Sequence, residues 1–183
     1  MQTIKGKALV ASPHLMDGNF MRSVVYILRH DEEGAFGLIL NRPTPVTVGQ
    51  LLEELLEQNI PNPSPIFYGG PVDGPLMVLH DQSSESDSDE DLSVHLATEQ
   101  DRIIELCEHP QGNYRVFDGY SGWSSGQLDS ELKSGGWLIW DIDAESIFAD
   151  PETIWKTAIR KIGLDIVAAN IAPTRIPNDP ELN

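Results

Sequence analysis

The chain has little of what a secreted or membrane protein needs. Its 183 residues include one cysteine, Cys107, so no internal disulfide can form, and a lone cysteine is typical of a reducing compartment. Its apolar runs are far shorter than the ~20 residues that span a bilayer, and residues 1–6 lack a secretory signal. We therefore expect a soluble cytoplasmic protein, with Cys107 buried as a small apolar side chain in a helix.

Basic residues are also scarce. Twelve lysines and arginines stand against 29 aspartates and glutamates, which gives a formal net charge of −17. Binding to nucleic acid depends on basic side chains that neutralise phosphates, so we expect no nucleic-acid partner and no membrane partner. The partner is then an unknown small molecule or protein. Arg22, Arg29 and Arg42 lie close in sequence and are the candidates for a local basic face.

Complete catalytic and metal-binding motifs are missing too. Residues 122–126 fit the G-x-S-x-G nucleophile elbow around Ser124, but that motif needs a later histidine, and the last of the five histidines is His109. A triad in another order stays geometrically allowed. The acidic run 87–91 lacks the glycine and glutamate that an EF-hand loop requires at its sixth and twelfth positions. We predict no catalytic residue, no metal site and no cofactor.

Periodicity and turn signals predict more strands than helices. Short turns join several neighbouring strands, which excludes a regular βαβ alternation and predicts a mixed α+β fold, largely antiparallel, with about four helices. Strands are predicted at 6–11, 23–30, 35–41, 65–68, 76–80, 92–97, 114–117 and 137–142. Helices are predicted after a capping box at Thr47 and Gln50, at 98–109, at 125–133 and from Asp150 to Gly163.

The predicted organisation is a single α+β domain over residues 1–165. It carries an acidic Ser/Asp/Glu loop at 83–91, whose composition indicates a solvated segment. Residues 166–183 are predicted to be a C-terminal tail that is partly extended or flexible, with a short strand at 166–171.

Glycine and polar residues cluster where predicted strands and helices end. Glycines permit close backbone approach, Arg42 could hold a carboxylate or phosphate, and Tyr120 and Trp123 could wall a pocket. The alternative is that these clusters are turns beside an aromatic core. The candidate ligand-binding residues are Ser12, Asn41, Arg42, Gly69, Gly70, Tyr120, Trp123, Gln127 and Glu131.

These clusters resemble the signatures of the bacterial YqgE/AlgH family, in the right order over about residues 5–163. The matching segments are Ala11-Ser12-Pro13 with Phe20 and Arg22-Ser23-Val24, 34–37 leading to Asn41-Arg42-Pro43, 68–72, and 119–132, with Trp137 and Trp155. The resemblance implies one α+β domain of overlapping, bulged sheets flanked by helices. One branch of the family is labelled a transcriptional regulator of alginate synthesis.

Three functions are consistent with the residues. The favoured hypothesis is a non-catalytic binding or interaction module. The first alternative is an enzyme, for example a hydrolase, that uses Glu131 or the pair His14 and Asp17. The second is a transcription-linked regulator, which the charge of −17 and the lack of a basic reading helix disfavour.

Overall fold

The computed structural model describes residues 3–57, 59–82 and 94–170. Residues 169 and 170 are described by their backbone alone. Ten strands and five helices occur in this part of the chain. The strands are β1 Ala8–Ala11, β2 Val24–Asp31, β3 Gly34–Ile39, β4 Pro43–Thr47, β5 Pro65–Tyr68, β6 Met77–His80, β7 His95–Ala97, β8 Tyr114–Asp118, β9 Ser121–Ser124 and β10 Trp137–Trp140. The helices are α1 Val48–Leu56, α2 Gln100–Glu108, α3 Gln127–Lys133, α4 Ala144–Ile147 and α5 Ile154–Asn170. This confirms the α+β prediction.

The strands form two sheets of five strands each in the described residues. Sheet A has the order β10-β1-β2-β3-β9 and is antiparallel throughout, with a bulge in the β2–β3 pair between Ile27 and Arg29. Sheet B has the order β4-β5-β8-β6-β7, and its β5–β8 pair is parallel, with Ile66 opposite Val116. The bulged, largely antiparallel sheets that the resemblance implied are therefore present.

Three apolar clusters stack the sheets and helices into layers. The first joins sheet A to sheet B and includes Tyr26, Leu38 and Phe117, with Ala158 of α5 packed at its side. Successive side chains of a strand point to opposite faces, so β1 and β2, which are buried on both faces, are apolar almost throughout. The second cluster covers the other face of sheet A with α3, and the third covers the other face of sheet B with α1 and α2.

The capping box at the start of α1 is confirmed. Gln50 N–H donates to Thr47 Oγ1 at 3.3 Å, and Thr47 N–H donates to Gln50 Oε1 at 2.9 Å. Cys107 is buried in α2, and this burial raises the pKa of its thiol to about 12. The thiol is therefore protonated at neutral pH and behaves as the small apolar group that the sequence indicated.

The predicted end of the last helix is wrong. Helix α5 continues through Gly163 to Asn170, so residues 166–170 are helical and not a strand or an extended tail. One glycine inside a helix costs only about 1 kcal/mol, which is too little to end a helix by itself. Residues 171–183 and the acidic loop 83–91 lie outside the described residues, so the domain boundary at 165 stays a prediction.

Three short elements were not predicted from the sequence. Strand β4 contains two prolines and lies at the edge of sheet B, where a missing N–H is tolerated. Strand β9 lies within the segment interpreted as a glycine turn, and α4 is a single turn capped by Asp143. Among the described residues, no helix has the length and apolar character needed to cross a membrane.

Candidate functional site

The candidate residues do not meet at one place. The structure distributes them over four places. These are a glycine junction between the sheets, a cluster around Glu131, a cleft between Phe36 and Tyr120 (the Phe36 cleft) and a groove beside Arg42 (the Arg42 groove). Ser12 is buried where β1 ends, and its backbone N–H donates to Gly136 O at 3.0 Å. Each place therefore has to be judged by its own chemistry.

The glycine junction, formed by Gly69, Gly70 and Gly119, is where two backbone segments cross between the sheets. A Cβ atom on Gly69 would lie 2.1 Å from Gly119 O, and one on Gly70 would lie 2.3 Å from the carbonyl carbon of Tyr120. Gly69 O accepts from Ile39 N–H of sheet A at 2.9 Å, and Gly69 N–H donates to Asp118 O of sheet B at 2.8 Å. These glycines therefore serve the packing of backbone on backbone.

The carboxylate of Glu131 holds two indoles. Trp123 Nε1 donates to Glu131 Oε2 at 3.0 Å and Trp137 Nε1 donates to the same oxygen at 2.8 Å. Gln127 Nε2 donates to the other oxygen at 2.9 Å. Both oxygens are thus occupied, and the two indoles pack edge to face with ring centroids 6.1 Å apart. Glu131 is a structural acceptor in this arrangement and not a free acid or base.

We predict that Glu131→Ala lowers the free energy of unfolding by about 2–4 kcal/mol, because two partly buried indole N–H groups lose a charged acceptor. Urea denaturation followed by tryptophan fluorescence measures this loss. Glu131→Gln keeps one acceptor oxygen and should lose less, while Glu54→Ala on the exposed side of α1 should change little. Equal midpoints for Glu131→Ala and Glu54→Ala would contradict the structural role.

The serines of the suspected nucleophile elbow have partners that do not activate them. Ser124 Oγ donates to Gln127 Oε1 at 3.1 Å, and Ser125 Oγ donates to Glu32 O at 2.6 Å. No histidine in the described part of the chain is hydrogen-bonded to either serine. Neither serine caps α3, whose N-cap is Gly126 in the left-handed region at φ 69°.

The Phe36 cleft lies beside β9 and has a volume of about 530 Å³. The rings of Phe36 and Tyr120 pack with centroids 5.1 Å apart, and a Cβ on Gly122 would lie 3.3 Å from the Tyr120 ring. Trp123 borders the cleft as well. Because Trp123 follows Gly122 directly in β9, its side chain points to the opposite face of sheet A and packs there. Tyr120 and Trp123 therefore both border this cleft, although the Trp123 indole packs on the opposite face of sheet A. The lining residues are Arg29, Ala35, Phe36, Val72, Tyr120, Gly122 and Trp123.

The Arg42 groove lies where the start of β2, the end of β3 and the first turn of α5 meet, and has a volume of about 360 Å³. Asn41 fixes its inner edge, since Val24 N–H donates to Asn41 Oδ1 at 2.9 Å and Asn41 Nδ2 donates to Arg22 O at 2.9 Å. Trp155 is fixed by a hydrogen bond from Nε1 to Ala11 O at 2.8 Å. The lining residues are Arg22, Asn41, Arg42, Pro43, Pro151, Glu152, Trp155 and Lys156.

The guanidinium of Arg42 is half-buried and held in place by the main chain. It donates from Nη1 to Asn41 O at 3.2 Å and from Nη2 to Met21 O. A guanidinium has five N–H groups, so three have no acceptor among the described residues. Burial without a compensating carboxylate lowers the pKa of Arg42 from its usual value. An arginine side chain carries its charge in proteins, and this one faces an open groove.

The basic face suggested by the sequence is formed only in part. Arg22 and Arg42 line the same groove, but Arg29 lines the Phe36 cleft, where it lies 3.5 Å from Asp31 and 4.0 Å from Glu33. Sequence reasoning missed Trp155 and Lys156 as groove residues. They lie more than 110 positions after Arg42, and no local pattern joins them to it.

Comparison with known proteins gives consistent matches. Residues 8–167 match the model of the AlgH-like family. The UPF0301 protein of Streptomyces coelicolor is 35% identical over 192 residues, which cover 100% of this chain and 97% of that protein. The UPF0301 protein of Cytophaga hutchinsonii is 39% identical over 194 residues, which cover 98% of each chain.

Two solved structures share the fold. The solution structure of the AlgH protein from Pseudomonas aeruginosa superposes with a TM-score of 0.73 at 30% identity, covering 94% of this chain and 98% of that one. A crystal structure of a protein from Corynebacterium diphtheriae gives a TM-score of 0.71 at 22% identity, covering 88% of each chain, and shows the fold alone. The matches confirm the resemblance carried by the glycine signatures.

Proposed function

This chain belongs to the AlgH-like family, whose name states no reaction. From the site itself we propose that the protein is a non-catalytic binding module that holds a small ligand in the Arg42 groove. A fold hosts many functions, so the argument has to come from the groups at the site.

The polar groups that could have carried chemistry are engaged elsewhere. Both oxygens of Glu131 accept hydrogen bonds, and Ser124 and Ser125 donate to acceptors that cannot act as a base. Asp17 accepts from the backbone N–H groups of Asn19 and Phe20 at 2.8 and 3.1 Å, and the described structure shows no hydrogen bond between it and the exposed His14. This supports binding over catalysis.

The observation that carries the proposal is the half-buried Arg42. Three of its N–H groups have no acceptor among the described residues and lie beside an open groove, where an acceptor on a ligand can bind them. The groove volume of about 360 Å³ is at the small end of ligand sites, and the Trp155 indole supplies an apolar wall. In the Phe36 cleft, the charge of Arg29 already has carboxylate neighbours and the rings pack on each other.

A thermal-shift screen against metabolites, nucleotides and divalent ions tests this function. A ligand present at 100 times its dissociation constant should stabilise the protein by about 2.7 kcal/mol, enough for a clear rise in melting temperature. We expect a hit that Arg42→Ala abolishes and that Lys133→Ala, a control at the exposed end of α3, leaves intact.

Mass spectrometry of the ligand after prolonged incubation separates binding from catalysis. The proposal expects the ligand to be recovered unchanged. Conversion to a product would show an enzyme, and hits that persist in Arg42→Ala would place the ligand outside the groove.

A further inference from the structure

We propose that the ligand of the Arg42 groove is a small oxyanion, whose carboxylate or phosphate group is held by Arg22, Arg42 and Lys156. This inference rests on the proposed function and adds the chemical class of the ligand. The Arg42 groove brings together three of the 12 basic residues in a chain of net charge −17.

The cations of the groove lack the carboxylate partners that some other cations of the molecule have. Lys7 pairs with Asp141 at 2.6 Å and Arg102 with Glu105 at 2.8 Å. Within the described residues, no carboxylate oxygen lies within 4.0 Å of the charged groups of Arg22, Arg42 or Lys156. Glu152 is the one acidic residue among the described residues that line the groove, so this lining carries three positive charges and one negative charge, a local net charge of +2.

The backbone at Arg22 is held in an uncommon conformation. Arg22 has φ 57°, in the left-handed region that non-glycine residues rarely adopt, and Asn41 Nδ2 holds its carbonyl oxygen at 2.9 Å. The guanidinium carbon of Arg22 then lies 5.8 Å from the centre of the Trp155 ring. Strained residues that the surrounding structure enforces are concentrated at binding sites, and here the strained residue presents a cation to the groove.

The size and charge of the surroundings favour a small anion over a nucleic acid. The groove is local, and charges beyond the Debye length of ~8 Å at physiological salt are screened. A small oxyanion therefore meets mainly the +2 lining, whereas a polyanion would extend over the acidic remainder of the surface. An arginine can donate two parallel hydrogen bonds to the oxygens of one carboxylate or phosphate group, and Lys156 adds a compact positive charge.

Two variants remove charge from the groove without removing a side-chain hydrogen bond or an ion pair among the described residues. The side chain of Lys156 is exposed on α5 and makes no hydrogen bond or ion pair among the described residues, so Lys156→Ala should fold as the native protein does. Arg22→Gly deletes the guanidinium and also suits the positive φ, so its melting temperature should be unchanged or higher. Lys133→Ala is the matched control for a lost charge elsewhere.

The probes are inorganic phosphate and succinate, with succinamide as the uncharged analogue of succinate. Binding is followed by the NMR signal of the Trp155 indole N–H, which is assigned by its loss in Trp155→Phe. We expect saturable shifts with phosphate, succinate or both, weakened by raised salt, and at least tenfold weaker binding in Lys156→Ala and in Arg22→Gly. Comparing the two anions identifies phosphate or carboxylate as the preferred group.

Two outcomes overturn the oxyanion assignment: no saturable shift with either anion, or equal binding of succinamide. In the second case the groove still binds a ligand and the proposed function stands. If an anion binds in the groove but a metabolite that carries this group is converted, the assignment holds and the non-catalytic function fails.

Discussion

Replacing Gly70 by alanine is expected to lower the free energy of unfolding by at least about 3 kcal/mol, or to prevent folding. Gly70 has φ 151°, and its added Cβ would meet the Tyr120 carbonyl carbon at 2.3 Å and Ser121 N at 2.4 Å. These are backbone atoms at the junction of the two sheets, so the clash cannot be relieved by turning a side chain. Urea denaturation, with solubility on expression as a second readout, measures the effect.

Two other glycines separate the causes of this loss. Gly126 has φ 69° but nothing within 4 Å of an added Cβ, so Gly126→Ala should show backbone strain alone, about 1 kcal/mol. Gly18 has open space and no positive φ, so Gly18→Ala should stay within about 0.5 kcal/mol of the native protein. If the midpoint of Gly70→Ala equals that of Gly126→Ala, the two backbone segments do not cross as closely as the structure shows.

Arg115→Met should destabilise the protein by about 3–5 kcal/mol, because three main-chain carbonyls lose a charged donor. The buried guanidinium donates to Leu40 O at 2.8 Å, to Ile147 O at 2.9 Å and to Ala149 O, and its central carbon lies 4.7 Å from the centre of the Phe67 ring. It thereby joins β8 of sheet B to the end of β3 in sheet A and to the segment after α4. Methionine fills much of the volume but donates no hydrogen bond.

The matched control is Arg102→Met on α2, which removes an ion pair with Glu105 and should cost under about 1 kcal/mol. Burial lowers the pKa of Arg115 to about 10, so the group is charged in the folded protein throughout the neutral range. The loss in Arg115→Met should therefore be the same at pH 6 and pH 8. A loss no larger than that of Arg102→Met would show that the carbonyls find other donors.

Both structural predictions bear on the proposed site. The Arg42 groove borders the end of β3, whose last residues are tied to sheet B by Gly69 and Arg115. Substitutions at these positions would disturb ligand binding indirectly. Lys156→Ala and Arg22→Gly are therefore the informative variants for the ligand, whereas Gly70→Ala and Arg115→Met report on the joining of the sheets.

The candidate residues show where sequence reasoning stopped. Gly69, Gly70 and Glu131 stood out because they combine with aromatic and polar neighbours in short motifs. In the structure the glycines contact backbone, and Glu131 accepts from two indoles and the Gln127 amide. Arg42 was identified from its chemistry. Trp155 belonged to the family resemblance, but no local pattern joined it or Lys156 to Arg42, because helix α5 brings both to the groove from the far end of the chain.

The sequence by itself determined the α+β class, most strands, the capped start of α1 and the burial of Cys107. Those features depend on neighbours within a few residues: alternation, turn residues, caps and apolar stripes. Tertiary structure decided the parallel β5–β8 pair, the length of α5 past Gly163, the role of Arg115 and the assembly of the Arg42 groove. Each of these depends on residues distant in the chain, whose contacts form only when the layers pack together.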